Sequence, residues 1–350
     1  MTLETDVPVL DSRLRGELRQ SRRDFLVALE PARAALFRYC RSLTGNTWDA
    51  EDLLQDTLTR GLAEASRRHE PIQNTEAWLI RIATNSWIDS QRRSGRTAPL
   101  DWTDPGHDLP GTEAADPLAA VEVEAALRQL LLVLPPQERA CVVLKDVFAY
   151  PLAEIAGMLG TTTGAVKSAL HRGRSSLQAA QGAHVAQGPQ AAPTGSNPAP
   201  TPPGTTSSSH PTTHAAVLRR LTEAFNAYDI DAMVRLFLST GRTEVVGNVS
   251  ETGHEEIRTG SLTHTFGPDA DELYRASIHW FDGEEVILLW ERRKDALQAP
   301  ELVADVLRVR CAGGEALISQ LDWYFFCPEV LAEVADGLGL PFKTNGVSYF

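Results

Sequence analysis

The chain has 350 residues, which at roughly 150 residues per domain suggests two or three domains. Apolar residues make up 43% of the sequence, so the chain can build packed cores and is not globally disordered. A formal net charge of −13 argues at first against a nucleic-acid partner, because phosphate binding needs positive potential.

Targeting signals and metal-binding patterns are absent from the sequence. No segment approaches the roughly 20 consecutive apolar residues of a membrane helix, and the polar start of the chain lacks a signal-peptide core. The four cysteines are far apart and form no Cys-x-x-Cys pair, which argues against a zinc site or a disulfide scaffold. We predict a cytoplasmic protein with no metal, no cofactor and no membrane contact.

The charge is divided by an uncharged segment between Arg174 and Arg219. Because its Pro, Gly, Ser and Thr residues cannot bury enough surface to offset ordering entropy, we predict a flexible linker over 183–213. The 21 basic and 24 acidic residues of Met1–Val185 give a net of −3, whereas 12 and 22 in Ala186–Phe350 give −10. The excess acid therefore belongs to the C-terminal half.

The N-terminal half shows the 3.6-residue apolar spacing of helices. Residues 96–117 interrupt it with four prolines and several acids, which predicts an extended acidic linker. We therefore predict two all-α domains, over 22–95 and 118–180. The first is expected to begin with a pair of helices between Phe25 and Leu43.

The second all-α domain ends in a helix-turn-helix pattern. A short amphipathic helix starting at Leu152 stops at Gly160, a residue typical of helix C-termini. Threonines then precede a helix with cations on its polar face, and no acid follows Glu154 until Glu223. Such a second helix fits the major groove of DNA, although an ordinary helical hairpin with a solvated basic face would give the same pattern.

Four stretches, in order, resemble bacterial sigma factors of the extracytoplasmic-function (ECF) group. The first two stretches, Asp49-Ala-Glu-Asp-Leu-Leu-Gln-Asp-Thr-Leu58 and Ala77-Trp-Leu-Ile-Arg-Ile-Ala-Thr-Asn85, resemble region 2 of that family, which binds polymerase and the −10 element. The other two, Leu134-Pro-Pro-Gln-Glu-Arg139 and the helix-turn-helix, resemble region 4, which binds the −35 element. The resemblance implies region 2 over 22–95, a region 4 helix-turn-helix over 118–180, and core RNA polymerase and promoter DNA as partners.

The resemblance assigns polymerase binding to the first stretch, whose acids at i, i+3 and i+7 also form a stripe on one helix face. A solvated acidic face near a helix N-terminus would look the same. The expected contact residues are Asp49, Glu51, Asp52, Leu53, Gln55 and Asp56.

The resemblance also assigns DNA contacts. The expected −10 residues are Arg67, Arg68, His69, Gln73, Asn74, Arg81, Arg92 and Arg93. The expected −35 residues are Thr162, Thr163, Lys167, Ser168, His171, Arg172 and Arg174. The guanidiniums suit phosphates, and the amide side chains suit base edges.

From residue 214 the pattern changes to two helices followed by alternating strands, which predicts an α+β domain over 214–340. The wording from Phe225 to Phe237 resembles the start of SnoaL-like domains, which are ketosteroid-isomerase-like, cone-shaped barrels around a pocket. Strand-borne pocket candidates are His279, Glu291, Asp322 and Tyr324, although these residues would more often be packing or surface groups.

The sequence thus predicts a multidomain sigma factor: two all-α sigma domains followed by an α+β SnoaL-like barrel. The barrel is expected to be non-catalytic, to modulate the sigma domains by intramolecular contact, and to be open to a small-molecule ligand. Two alternatives stay open. The chain can be a DNA-binding regulator that never joins polymerase, or a SnoaL-like enzyme fused to a sigma-like module.

Overall fold

The computed structural model describes residues 12–68, 70–93, 132–186, 213–268, 270, 272–296, 298–312 and 316–347. The chain forms two compact units that divide between Ser196 and Asn197. The expected linker over 96–117 lies outside the described residues, as do residues 187–212 of the linker expected over 183–213, whose residues 183–186 and 213 are helical instead. The first unit contains, in its described part, six α-helices: α1 (Ser12–Thr44), α2 (Thr47–Ala65), α3 (Thr75–Arg93), α4 (Pro136–Val142), α5 (Leu152–Leu159) and α6 (Thr163–Ala186).

The first helix is one continuous element, not the predicted pair. It runs for 33 residues and contains Pro31 in its interior. An interior proline removes one helical hydrogen bond and costs about 3 kcal/mol. The helix continues because its apolar face on both sides of Pro31 is buried, with Leu29, Leu36 and Tyr39 all less than 5% exposed.

Helices α5 and α6 form the predicted helix-turn-helix, and α4 packs against α6. Helix α5 ends at Gly160, whose backbone is left-handed, and α6 begins three residues later. The buried face of α6 includes Val166 and Leu170. A side chain at Gly173 would place its Cβ 2.9 Å from Val142, so the close approach of α4 and α6 requires glycine there.

The second unit is α+β, as predicted. It contains helices α7 (Thr213–Ala227), α8 (Ile230–Val234), α9 (Gly253–Ile257), α10 (Thr263–Phe266) and α11 (Pro328–Leu338), and strands β1 (Phe237–Val245), β2 (Val249–Thr252), β3 (Glu272–Phe281), β4 (Glu284–Arg293), β5 (Leu302–Cys311) and β6 (Ile318–Trp323). One sheet has the order β2-β1-β6-β5-β4-β3, in which only the β1–β6 pair is parallel.

The core of this unit lies between helix α7 and one face of the sheet. Phe225 of α7 stacks on Phe266 at 4.9 Å between ring centroids and meets Trp323 of β6 edge to face. The hairpin between β3 and β4 turns at Asp282-Gly283, a dipeptide typical of hairpin turns, where both residues have positive φ, as a two-residue hairpin turn requires. Sequence reasoning missed β2 and the helical segment 253–266 that follows it.

Side chains of the Phe225–Phe237 segment close the outer edge of β3. Asn226 bonds both the carbonyl oxygen and the N–H of Ala276, at 3.0 and 2.8 Å. The phenol of Tyr228 likewise bonds the N–H and the carbonyl oxygen of Tyr274, at 2.6 and 2.9 Å. An edge strand otherwise leaves such groups unpaired. Asn226 and Tyr228 therefore connect the end of α7 to β3, the edge strand of the described sheet.

Candidate functional sites

The exposed acids of α2 form the predicted stripe. Asp49 and Asp52 are exposed, and Asp56 is half-exposed and paired with Arg60 at 2.9 Å. Asn46 caps the helix by accepting the N–H of Asp49 at 2.7 Å. A carboxylate in the first turn is stabilised by the helix dipole. The stripe therefore starts at a well-capped helix end, with acids on the solvent side.

Glu51 and Leu53 do not lie on this exposed stripe. The side chain of Glu51 is fully buried and pairs with Arg33 of α1 at 3.1 Å. Gln55 donates to the same carboxylate oxygen at 2.7 Å. Leu53 is 8% exposed. This buried ion pair holds α2 against α1. Glu51 therefore supports the acidic stripe from the core side but is not part of its surface.

Two of the arginines expected near the −10 element converge on Glu64, a residue that sequence reasoning did not select. Its Oε1 accepts hydrogen bonds from Arg68 at 2.6 Å and from Arg81 at 3.0 Å. Trp78 donates its indole N–H to the same oxygen at 3.1 Å. Burial opposes ionisation of Glu64, but the bonds from Trp78 and Arg68 outweigh it and lower the pKa. The i, i+4 spacing of Glu64 and Arg68 is the only local signal for this cluster.

The other residues assigned to the −10 element divide by burial and bonding. The Asn74 side chain accepts the N–H of Ala77 at 2.9 Å, so it caps the start of α3 and is engaged in structure. Gln73 and Arg67 are exposed, whereas His69 lies outside the described residues. Arg92 and Arg93 are exposed at the end of α3, where both contact Asp89.

The recognition helix α6 presents fewer of the expected −35 residues to solvent than the pattern predicts. Thr162 caps it by accepting the N–H of Ala165 at 3.1 Å. His171 and Thr163 are exposed and Lys167 is half-exposed, whereas Ser168 is buried at 4%. Ser168 therefore belongs to the inner face of α6.

Arg172 and Arg174 are bound by acids of the same domain. Arg172 donates to Oε1 of Glu138 on α4 at 2.9 Å, and the Glu138 side chain is only 6% exposed. Arg174 makes two bonds to Asp146, at 3.2 and 2.6 Å, and these raise its pKa. Both arginines thus have carboxylate partners that DNA phosphates would have to replace.

The helices α1 to α3 and the helices α4 to α6 are in contact within the first unit, and Arg139 of α4 links the two groups. Its guanidinium donates to the carbonyl of Leu43 on α1 at 2.6 Å, and to the carbonyls of Leu132 and Leu134 at 2.7 and 3.1 Å. It also stacks 5.2 Å above the Trp87 ring of α3. Burial lowers the pKa of Arg139 to about 10.

A second contact joins the two regions beside α3. The Tyr150 hydroxyl, in the segment before α5, donates to Oε1 of Glu76 at 2.7 Å. Phe148 meets Tyr39 of α1 edge to face at 5.8 Å. The Tyr39 hydroxyl is hydrogen-bonded to Thr84 at 2.6 Å. This second contact therefore combines the packing of Phe148 on Tyr39 with the partly buried Tyr150–Glu76 hydrogen bond.

The second unit contains a cavity of about 780 Å³. Aromatic and aliphatic residues make up part of its wall, including Tyr274, Leu289, Trp323, Phe325 and Phe326. The wall also carries two buried acids, Glu251 and Asp305, which are 8% and 1% exposed. Sequence reasoning selected neither acid.

The four pocket candidates from the sequence are not among the residues that line this cavity. Asp322 is on the opposite face of the sheet from Trp323, with Gln320 at 2.7 Å and Arg310 at 3.3 Å. His279 bonds Ser277 at 3.0 Å, and burial lowers its pKa.

The other two candidates are also held by neighbours. Glu291 is paired with Lys343 and contacts the hydroxyl of Tyr274, a cavity residue, at 3.4 Å. Tyr324 is 1% exposed and bonds the carbonyl of Val306 through its backbone N–H. Of the four, Glu291 is therefore connected to the cavity wall through one neighbour.

No group of three or more His, Cys, Asp or Glu side chains among the described residues is placed to hold a metal ion. In that same part of the chain, no helix is both long and apolar enough to cross a membrane.

Comparisons with known proteins match both helical regions. The family model for sigma-70 region 2 matches residues 30–97, and the model for sigma-70 region 4 matches residues 124–177. The ECF RNA polymerase sigma factor SigG of Mycobacterium tuberculosis is 34% identical over 257 residues, covering 66% of this chain and 64% of SigG. The chain thus spans less than two thirds of that relative's length.

Two further matches differ in how much of the relative they cover. SigM of Mycobacterium tuberculosis, also an ECF RNA polymerase sigma factor, is 36% identical over 145 residues, covering 41% of this chain and 69% of SigM. The crystal structure of SigJ from the same organism covers 85% of this chain and 95% of its own, with 21% identity and a TM-score of 0.31.

Proposed function

Because this chain belongs to the ECF RNA polymerase sigma factors, we propose that it directs core RNA polymerase to specific promoters and assists transcription initiation in the cytoplasm. The observation that carries the proposal is the presence of both family regions, in order, with an exposed acidic stripe on one and a helix-turn-helix on the other. A DNA-binding regulator that acts without polymerase would need only the helix-turn-helix.

The polymerase contact is assigned to the solvent side of α2. Asp49, Asp52 and Asp56 supply the charge, and half-buried Gln55 adjoins them. Glu51 and Leu53 hold this face in place from the core side. Because exposed charges are screened by salt, the stripe contributes to orientation and association rate more than to affinity.

The promoter contacts are assigned to two basic groups. Arg68 and Arg81, held side by side by Glu64, face the −10 element together with exposed Arg67 and Gln73. His171 and Lys167 of α6 face the −35 element, with Thr162 and Thr163 near the backbone, because a helix N-terminus favours phosphate. Arg172 and Arg174 join them after exchanging their acidic partners for phosphates.

The C-terminal unit is assigned a regulatory role through intramolecular contact with the sigma regions. Its net charge of −10 supports this assignment, because an acidic surface can compete with DNA for basic sigma surfaces. Deleting everything after residue 186, where α6 ends, should change promoter-specific transcription by reconstituted polymerase. Equal activity of the full and shortened chains would contradict the regulatory role and leave the sigma activity standing.

Co-purification with core polymerase tests the sigma assignment. Asp52→Arg should remove the chain from core polymerase, whereas Glu30→Arg, on an exposed position of α1, should not. Retained promoter-DNA binding by Asp52→Arg would show that the variant is folded. If the unchanged chain binds promoter DNA and never co-purifies with polymerase, the DNA-binding regulator replaces the sigma factor.

A further inference from the structure

The segment between α4 and α5 contains a strained residue. Ala149 has a φ of 57°, in the left-handed region that favours glycine. A residue with a Cβ is disfavoured there by about 5- to 30-fold relative to the right-handed region. Such a conformation persists only where the surroundings hold it, and it is typical of segments with two functional states. The conformation of Ala149 must therefore be held by the contacts of its neighbours.

Both neighbours of Ala149 contact the helices α1 to α3. Phe148 meets Tyr39 of α1 edge to face at 5.8 Å between centroids, and the Tyr150 hydroxyl donates to Glu76 of α3 at 2.7 Å. The rings of Phe148 and Tyr150 also stack on each other, with 15° between their planes. The contacts to Tyr39 and Glu76 are lost when α1 to α3 separate from α4 to α6. The support for the left-handed turn at Ala149 is then lost with them.

The same segment also holds the recognition helix α6. Residues Val143–Val147 continue α4 as a π-helical turn, a rare geometry that is frequent at functional sites. Within this turn, Asp146 accepts two hydrogen bonds from Arg174 of α6, one on each carboxylate oxygen, at 2.6 and 3.2 Å. This two-pronged geometry needs the carboxylate in one position and one orientation. A small displacement of Asp146 therefore weakens both bonds.

A backbone hydrogen bond connects Ala149 with Asp146. The N–H of Tyr150 donates to the carbonyl oxygen of Leu144 at 3.0 Å, and the turn that this bond closes contains both Asp146 and Ala149. If Ala149 leaves the left-handed region, the N–H of Tyr150 turns away from Leu144 and the turn opens. Asp146 then moves relative to Arg174.

We propose that residues 143–150 couple the separation of α1–α3 from α4–α6 to the release of Arg174 for DNA. In the closed arrangement, the contacts to α1 and α3 keep Ala149 left-handed and Asp146 on Arg174. On separation, the turn relaxes and Arg174 exchanges its carboxylate for a phosphate. Because coupling is reciprocal, capture of Arg174 by DNA also favours separation. This coupling rests on the proposed DNA contact of α6 but needs no polymerase, so it can fail while the sigma assignment stands.

Substitutions of Ala149 in the full chain test the coupling, because they change the cost of the left-handed turn in opposite directions. Ala149→Val raises this cost, since a β-branched residue is a rare occupant of the region, and Ala149→Gly removes it. The Ala149 side chain is exposed, so both changes act on the backbone and not on packing. Energy transfer between dyes at exposed Thr59 and Ser176 should fall in Ala149→Val and rise in Ala149→Gly.

DNA binding should change with the arrangement of the helices. The probe is a mixed-sequence duplex of about 20 base pairs, and one freed arginine adds about one phosphate contact. Ala149→Val should therefore raise affinity for the duplex by about threefold and steepen its slope against log salt by about 0.9. Ala149→Gly should bind the duplex no more tightly than the unchanged chain. The same two substitutions at Ala153, an exposed helical position of α5, are the matched controls and should change affinity less than about twofold.

A second substitution shows whether the effect on DNA passes through Arg174. Asp146→Asn removes the charge that binds Arg174 and leaves the contacts to Tyr39 and Glu76 in place. In that background, Ala149→Val should still lower energy transfer but should change duplex affinity less than about twofold. If Ala149→Val does not fold, Tyr150→Phe, which weakens the same closed arrangement, gives the same comparison.

Three results would overturn the proposal. The first is equal energy transfer in the Ala149 variants and the unchanged chain. The second is lower energy transfer in Ala149→Val with no gain in duplex affinity, because separation would then leave Arg174 on Asp146. The third is the same gain in affinity from Ala149→Val with and without Asp146→Asn, because the gain would then not depend on the Asp146–Arg174 pair.

Discussion

The Tyr150 hydroxyl donates a 2.7 Å hydrogen bond to Oε1 of Glu76, and this bond links the segment before α5 to the first turn of α3. It therefore joins the two regions that, as a sigma factor, would contact the −10 and −35 elements. Those elements are about 25 base pairs apart, or roughly 85 Å at 3.4 Å per base pair. Regions in direct contact must separate to reach both.

Tyr150→Phe should favour separation of the two regions. It removes the bond to Glu76 and keeps the ring that stacks on Phe148. Losing one partly buried hydrogen bond costs about 1 kcal/mol, which is roughly a fivefold shift in the closed-to-open ratio. Energy transfer between dyes at exposed Thr59 and Ser176 should fall. An unchanged distance distribution would mean that Tyr150 does not hold the regions together.

Arg139→Lys should lower the stability of the first unit by about 2 kcal/mol. Lysine carries a point charge and cannot reproduce the fixed fork that reaches the carbonyls of Leu43, Leu132 and Leu134. Urea unfolding measures the loss. Arg60→Lys, in an exposed pair with Asp56, is the matched control and should change stability by less than about 0.5 kcal/mol.

Glu51→Gln should affect stability, whereas Asp52→Asn should affect association with core polymerase, although the two residues are adjacent. Glu51→Gln removes the charge from the buried carboxylate that contacts Arg33 and should cost about 2 kcal/mol of stability. Asp52→Asn, on the exposed stripe, should leave the melting temperature unchanged and slow association with core polymerase. The assignment of the stripe fails if Asp52→Asn associates at the original rate at low salt.

Arg172→Ala should destabilise the helix-turn-helix, because it leaves the buried carboxylate of Glu138 without a cation. Arg172 is partly exposed, so we expect about 1–2 kcal/mol, recovered in part by adding Glu138→Ala. His171→Ala should instead reduce promoter affinity at constant stability, since His171 is exposed. Thermal unfolding and promoter binding, measured on the same samples, distinguish the two.

The stability around β5 should fall as pH rises above about 4, and Asp305→Asn should remove this dependence. Burial raises the pKa of Asp305 in the folded chain. At pH values between the pKa of Asp305 in the unfolded chain and its pKa in the folded chain, the unfolded chain therefore binds fewer protons. Its contribution is therefore complete at low pH and is lost as pH rises through the folded value. Hydrogen exchange of residues 302–311, corrected for intrinsic rates, measures it in the full chain. A slope that persists in Asp305→Asn would contradict this assignment.

Local signals in the sequence predicted most of the fold. The alternation predicts strands over 273–281, 284–293 and 302–311, and β3, β4 and β5 are within one residue of these bounds, because alternation and the Asp282-Gly283 turn are encoded by neighbouring residues. The strand expected over 243–249 begins earlier, at Phe237, and ends at Val245. Side-chain pairing across the chain is not encoded that way. Glu51 contacts Arg33, 18 positions away, and Arg172 contacts Glu138, 34 positions away, so both looked like surface residues in a helical pattern.

The cavity illustrates the same limit. Alternation places Asp322 and Trp323 on opposite faces, but it does not say which face adjoins a cavity. That depends on the helical segment 253–266, which was not predicted and which contributes Gly260 and Ser261 beside Glu251. Asp305 is 1% exposed in strand β5 among apolar neighbours, and alternation alone does not predict that an acid is buried there.

The internal partners of Arg172 and Arg174 have a consequence for searching a genome. A helix whose guanidiniums are already neutralised by Glu138 and Asp146 releases few counterions when it meets arbitrary DNA. Its non-specific binding, and the slope of that binding against salt, should therefore be small. The two arginines should exchange their carboxylates for DNA phosphates only at a promoter site that also offers base contacts. Discrimination between promoter and non-promoter DNA then rises because non-promoter DNA is bound more weakly, not because the promoter is bound more tightly.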